Sequence, residues 1–394
     1  MSSLLSYHWQ NSTHIAFGVG AISQLKKYIP REARVLCLYN GDHIEKSGVK
    51  SDLEKVLTDC EARYRWRGGI ENNPDFSSCL EISEELRKTP ADILVAVGGG
   101  SVMDATKYIS GIVNLPNSID PWSVMSKPSL IGRPIPIMSV CTLAATGSEW
   151  DPHFVISRRS TGEKISQAHN CLRFKVSVLD PRYTLSVPFH YTANGVYDTF
   201  THVCEQYITG FFNPLQDRLS EAILSTIVEV APKLMKDLSN LNFRATMMQC
   251  SALALNDLIG LGTGQCWGTH NIGLALTAKY NMDHAETLAC IQPWLWRRFF
   301  DVKKFKLAQM AERVWGRKSG SVDELANYSI LKTEEFTSML KLSRRIGGYV
   351  KEKDQEVAAK NIADKVWEMV GRRPFGEHKM IKKEDVEVIV SAAF

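Results

Sequence analysis

The stretch Ala91–Ser110, ADILVAVGGGSVMDATKYIS, decides how the chain is read. Ala91–Val97 is aliphatic at nearly every position, as a strand buried on both faces is. Gly98, Gly99 and Gly100 then interrupt the run, and a helical pattern begins at about Ser101. Such a turn lets backbone N–H groups approach a phosphate, and the helix N-terminus favours its negative charge. Ser101 can cap the helix, and Asp104 stands in its first turn. A tight strand-to-helix connection without a ligand is the other reading, because GGGS is neither GxGxxG nor GxxxxGK[ST].

Working outward, Arg34–Tyr39 (RVLCLY) reads as another buried strand, followed by the loop Asn40–His43 and a helix around Lys50–Leu57. Ile135–Val140 reads as a third strand, entering a second turn, Thr142 to Glu149, that carries Thr142 and Thr146. It adds hydroxyls and small residues at the carboxyl edge of the same sheet, where ligands of such folds bind. Strands alternating with helices predict an α/β, mostly parallel, doubly wound sheet. From about Val187 the apolar spacing becomes helical: Tyr197–Ile208, Gln216–Met235, Arg244–Leu261, Trp267–Lys279, Val322–Ile346 and Lys351–Val370. Pro181 and Pro188 interrupt the pattern in between. The expected division is therefore a dinucleotide-binding α/β domain, 1–186, and an all-helical domain, 187–394.

Composition narrows the classes. The 394 residues are 44% hydrophobic and 23% charged, a globular rather than a disordered profile. A net charge of +4 argues against nucleic acid or an anionic membrane as partner. The start lacks the pattern of a signal peptide, and no apolar run is long enough to span a bilayer. The nine cysteines include no CxxC pair, so they read as reduced thiols of a cytoplasmic protein.

In the helical half, Asp198 and His202 stand four apart, on one face of a helix. Alone, such a pair is more often a local hydrogen bond than a metal site. His270 and His284 follow, each early in an expected helix. One carboxylate and three imidazoles make a borderline N/O set, suited to Fe(II) or Zn(II) and poorly to Mg(II).

These motifs resemble the group III, "iron-containing" alcohol dehydrogenases, in the butanol-dehydrogenase and broad aldehyde-reductase branch. The resemblance runs over nearly the whole chain. It includes Phe17–Ala21, Asn73–Pro74, Gly98–Ser101 with Asp104 and Lys107, Thr142 to Glu149, Glu163–Lys164 and Asp180–Pro181. Its most specific piece is LTAKYNMDHAETLA, with Asp198-x3-His202 upstream. It implies a dehydroquinate-synthase-like two-domain fold, with a Rossmann-like N-terminal domain, an all-α C-terminal domain and a cleft between them. It implies Asp198, His202, His270 and His284 as ligands of Fe(II) or Zn(II), through which catalysis runs. It implies Asn73, Gly99, Gly100, Ser101, Asp104, Thr142, Thr146 and Lys164 as cofactor contacts. A small alcohol or aldehyde substrate, NAD(P) and a homodimer complete the expectation.

Three positions depart from that pattern. Where the branch has a glycine-rich stretch accommodating the 2′-phosphate of NADP, this chain has Asn40–Gly41–Asp42–His43. Asp42 suits the ribose 2′-OH of NAD, while His43 and Lys46 offset part of its repulsion of a phosphate, so the reading leans to NAD. Leu274 stands where the family often has a proton-relaying histidine. Trp150 and Asp151 follow Glu149; Trp150 either narrows the substrate pocket or packs in the core, and Asp151 is expected to disfavour anionic substrates. Glycerol-dehydrogenase-like or dehydroquinate-synthase-like enzymes, and a non-catalytic nucleotide-binding relative, are the alternatives.

Overall fold

Alternation along the strands sets the layers. A computed structural model describes residues 6–350 and 354–394, among which eight strands form. They are β1 (His14–Phe17), β2 (Arg34–Tyr39), β3 (Arg63–Arg67), β4 (Ile93–Gly98), β5 (Ile137–Cys141), β6 (His153–Arg158), β7 (Glu163–Ala168) and β8 (Val176–Leu179). Six of these make an all-parallel sheet in the order β1-β8-β5-β4-β2-β3, while β6 and β7 form an antiparallel hairpin. Along β4, Ile93, Val95 and Val97 enter one core with Val35, Cys37 and Val140. Leu94 and Ala96 enter the other, with Leu36, Leu38 and Ile137. Period-two alternation with both faces apolar is what a strand buried between two helical layers requires.

Those layers are α1 (His43–Lys46), α2 (Val49–Asp59), α3 (Phe76–Lys88) and α4 (Gly100–Ile112). Leu53, Val56 and Leu57 of α2 close one face. Cys79, Ile82 and Leu86 of α3 close the other, together with α4. Every residue of α4 except Ser101 is buried, so this helix lies inside the layer rather than on it. From β2 the chain crosses to β3 at one edge, then returns past β2 to β4. The order thus reverses between β2 and β4, and ligands of such sheets bind outside the carboxyl ends at that reversal.

The remaining helices are α5 (Phe189–Tyr207), α6 (Pro214–Leu234), α7 (Leu241–Ala254), α8 (Gly268–Tyr280), α9 (His284–Arg298), α10 (Phe300–Arg313), α11 (Val322–Met339), α12 (Gln355–Met369) and α13 (Lys383–Ala392). The first residues of the helix expected from Lys351, 351–353, lie outside the described residues. No helix among the described residues is long and apolar enough to cross a membrane.

The chain forms two compact units that are discontinuous in sequence, unlike the expected single cut after residue 186. One holds the sheet, Gln10–Pro188, with Asp237–Ala252; the other holds Phe189–Lys236 and Leu253–Phe394. Most of α7 thus joins the sheet unit, because Met248 and Ala252 complete the core that contains Ile109 and Ile112. Arg244 fixes it there, donating to Leu238 O at 2.8 Å and to Val187 O at 2.9 Å.

Candidate active site

Within the helical unit, α5 carries Asp198 and His202 one turn apart, α8 carries His270 in its first turn, and α9 begins at His284. The Nε2 atoms of His202, His270 and His284 lie 3.6, 3.7 and 3.9 Å from the same oxygen, Asp198 Oδ1. The rings of His202 and His270 stack at 4.7 Å, and those of His270 and His284 lie 5.3 Å apart. These separations are too long for hydrogen bonds. Ligands about 2.1 Å from one tetrahedral cation, however, stand roughly 3.4 Å from each other. Asp198 Oδ1 and His270 Nε2 are also buried without a hydrogen-bond partner, which is costly unless something else satisfies them. The donor set fits a divalent cation.

The electrostatics agree. Burial pushes the Asp198 carboxyl up, but the imidazoles of His202, His284 and His270 outweigh it and hold the group well below the usual carboxylate range. Burial disfavours charge on His270, yet Asp198 and Glu205 outweigh it and raise its pKa to about 9. Positive charge is favoured at the centre of this cluster.

Glu205 was not anticipated from the sequence. It sits three residues after His202 and seven after Asp198, hence on the same helical face, and that spacing was the available signal. Its carboxylate accepts from Thr269 N at 2.7 Å and His270 N at 3.2 Å, and it pairs with His270 Nδ1.

In the sheet unit, the glycine turn and the threonine turn nest at the carboxyl ends of β4 and β5. A Cβ on Gly100 would stand 2.5 Å from Thr146 Cγ2, so only glycine permits this approach. Thr142 N donates to Gly98 O at 3.0 Å, and Thr142 Oγ1 lies 3.4 Å from His43 Nε2. Asn73, with φ of 55°, donates its N–H to Ser101 Oγ at 3.2 Å and accepts from Lys164 Nζ at 2.7 Å. Asn73, Gly99, Gly100, Ser101, Thr142, Thr146 and Lys164 therefore gather at the start of α4, whose first amides lack intrahelical acceptors. Asp42 lies at the end of β2, exposed and paired with Lys46 at 2.7 Å.

The remaining residues singled out in the sequence have the following surroundings. Asp104 accepts from Ser148 Oγ at 2.7 Å and from Val155 N at 3.0 Å, one bond to each oxygen, and so braces the turn. Asp151 presents no charge to a substrate: it is buried, and Lys107 Nζ neutralises it at 2.9 Å. Trp150 packs against the sheet core. Leu274 is buried within α8, one turn beyond His270.

Glu149, in the same turn, is fully buried, and its Oε1 has no hydrogen-bond partner. Burial raises its pKa to about 7 from an ordinary 4.5. Between those values the folded chain holds a proton that the unfolded chain releases, so stability is lost as pH rises through this window. Glu149→Gln should be more stable than wild type by about 3 kcal/mol at pH 8, with the difference gone near pH 4.5. Urea unfolding at the two pH values measures it, and a pH-independent difference would refute the assignment.

Comparison with known proteins identifies the family. Residues 12–181 match the family "Iron-containing alcohol dehydrogenase", and residues 192–394 match "Fe-containing alcohol dehydrogenase family, C-terminal". The NADPH-dependent aldehyde reductase YqhD of Escherichia coli is 40% identical over 87% of this chain and 89% of its own length. A probable NADH-dependent butanol dehydrogenase of Bacillus subtilis is 34% identical over 98% and 99%. The crystal structure of E. coli YqhD superposes with a TM-score of 0.95 at 37% identity, covering all of both chains. That of NADH-dependent butanol dehydrogenase A from Thermotoga maritima superposes with 0.91 at 26%, covering 99% of each. The chain belongs to the iron-containing alcohol dehydrogenase family.

Proposed function

We propose that the chain is a cation-dependent, NAD(P)-linked alcohol dehydrogenase that works as an aldehyde reductase on small, neutral, aliphatic substrates. The observation that carries this reading is the convergence of Asp198, His202, His270 and His284, with two buried ligand atoms unpartnered. These four residues would hold Fe(II) or Zn(II), leaving further coordination to a substrate oxygen. The cation supplies Lewis acidity toward a carbonyl, and a nicotinamide supplies or takes the hydride. Gly99, Gly100 and the α4 amides receive the dinucleotide phosphates, while Asn73, Ser101, Thr142, Thr146 and Lys164 orient it. The Trp267 ring stands edge-on to His270 at 5.3 Å and supplies an apolar wall beside the cluster, which suits an uncharged aldehyde. The relatives named as aldehyde reductase and butanol dehydrogenases support this over lyase-like or non-catalytic alternatives. The test is NADH or NADPH oxidation with butanal by the zinc- or iron-loaded chain. Absence of turnover with a panel of aldehydes and alcohols, at saturating cation and nucleotide, would remove the proposal.

For the nucleotide we favour NADH. Asp42 at the end of β2 can accept the ribose 2′-OH and repels a 2′-phosphate, although Lys46 offsets part of its charge. The wild type should show a higher kcat/KM with NADH than with NADPH. Asp42→Gly should move the ratio toward NADPH by about tenfold, equivalent to roughly 1.4 kcal/mol. A wild-type preference for NADPH would reverse the assignment.

We also place the enzyme in the cytoplasm as a homodimer. All nine cysteines are free and most are buried. β1 is an edge strand that ends on the exposed Phe17, with the exposed Val19 two residues on, and such an edge suits pairing with a second chain. Light scattering should give the mass of two chains.

A further inference from the structure

We infer that Glu205 is a positioning residue for the cation site, fixing the His270 ring so that its Nε2 lone pair meets the ion. The inference rests on the proposed ligand set. Glu205 lies on the third turn of one α5 face, after Asp198 and His202, and its side chain is almost fully buried. It makes two kinds of contact at once. Its oxygens take the first free amides of α8, Thr269 N at 2.7 Å and His270 N at 3.2 Å, a capping role that Trp267 leaves unfilled. The same carboxylate pairs with His270 Nδ1, while Nε2, across the ring, faces Asp198 Oδ1 at 3.7 Å.

An ionised carboxylate accepts and cannot donate. The proton of a neutral His270 must therefore sit on Nδ1, leaving Nε2 as the electron-pair donor. Clamping the His270 backbone amide and ring nitrogen with one carboxylate also fixes the ring's orientation relative to α5, which supplies two of the other three ligands, Asp198 and His202. Carboxylates behind metal-bound histidines act in this way in general, and their loss typically weakens metal binding 10- to 100-fold. Charge closes as well: the carboxylates of Asp198 and Glu205 together balance one divalent cation.

Glu205→Gln tests the role because it keeps size and shape. With its carbonyl oxygen kept on Thr269 N, its amide nitrogen takes the place of Oε2, gives up the bond from His270 N and donates to His270 Nδ1, which drives the ring proton onto Nε2, where a ligand must be bare. We expect a melting temperature near wild type, a zinc Kd weaker by about 10- to 100-fold, and restoration of tight binding only on return to a carboxylate. Independently, long-range proton–nitrogen spectra of histidine-labelled, zinc-loaded wild type should show His270 protonated at Nδ1. Equal zinc affinity in Glu205→Gln, or a wild-type His270 protonated at Nε2, would overturn the inference. Should the glutamine variant not fold, the wild-type spectrum alone decides. A wild-type chain that fails to bind one zinc ion would instead remove the underlying ligand set.

Discussion

His270→Ala should strip the bound cation and lower kcat/KM with butanal by at least about 10³-fold, while the helices remain folded. His270 is the middle member of the imidazole trio, 3.7 Å from Asp198 Oδ1 and in ring contact with both His202 and His284. Its loss leaves three ligands on a divalent ion and opens the coordination sphere to water. Polarisation of a carbonyl by the cation is worth several kcal/mol, so little turnover survives without it. The fold should persist because Glu205 still caps α8 through Thr269 N. Metal content by elemental analysis, circular dichroism and steady-state kinetics together check this. A folded variant with one cation per chain and wild-type turnover would remove His270 from the site.

Lys107→Met should destabilise the sheet unit by about 3–5 kcal/mol. Lys107 Nζ is fully buried and donates to Ser148 O (2.7 Å), Ser148 Oγ (2.9 Å), Asp151 Oδ1 (2.9 Å) and His153 O (2.7 Å). Methionine fills a similar volume without a donor, so it strands the Asp151 charge and two carbonyls in the core. Because the same network holds the threonine turn against α4, nucleotide affinity should fall as well. The zinc stoichiometry of the helical unit should not change. Urea unfolding followed at the sheet unit's tryptophans would measure the loss; a cost below 1 kcal/mol would show that the network is dispensable.

These examples show which parts were legible beforehand. β2 was read at its observed bounds, and β4, β5 and α4 to within about two residues, because buried β-branched runs ending in Gly98–Gly100 have few other solutions. β1 and β8 escaped notice because four-residue strands carry little periodicity. β3, RYRWR, was missed because three arginines on an edge strand hide its apolar face. The hairpin β6–β7 buries only one side, Phe154 and Ile156, against the sheet core, and its short alternating run between polar residues announces little by itself. The four ligand candidates were legible through family likeness, and their closeness to one another needed coordinates. Asp151 was misjudged, and the structural bonds of Asp104 went unseen, for one reason. Charged residues near a ligand-binding edge look functional in a sequence, yet both are engaged by partners 44 to 51 positions away. Glu205 was overlooked for the opposite reason, since its partners lie 64 and 65 positions downstream.

The excursion of α7 into the sheet unit has a consequence for biogenesis. A ribosome that has delivered everything through Pro188 has not yet supplied Met248 and Ala252, which seal the layer around Ile109 and Ile112. The nascent sheet must therefore wait, with one apolar side uncovered, until some sixty further residues emerge. Domain-by-domain folding during synthesis is thus postponed, and chaperone engagement should peak in that interval. A chain severed after the last strand would be expected to aggregate rather than bind nucleotide.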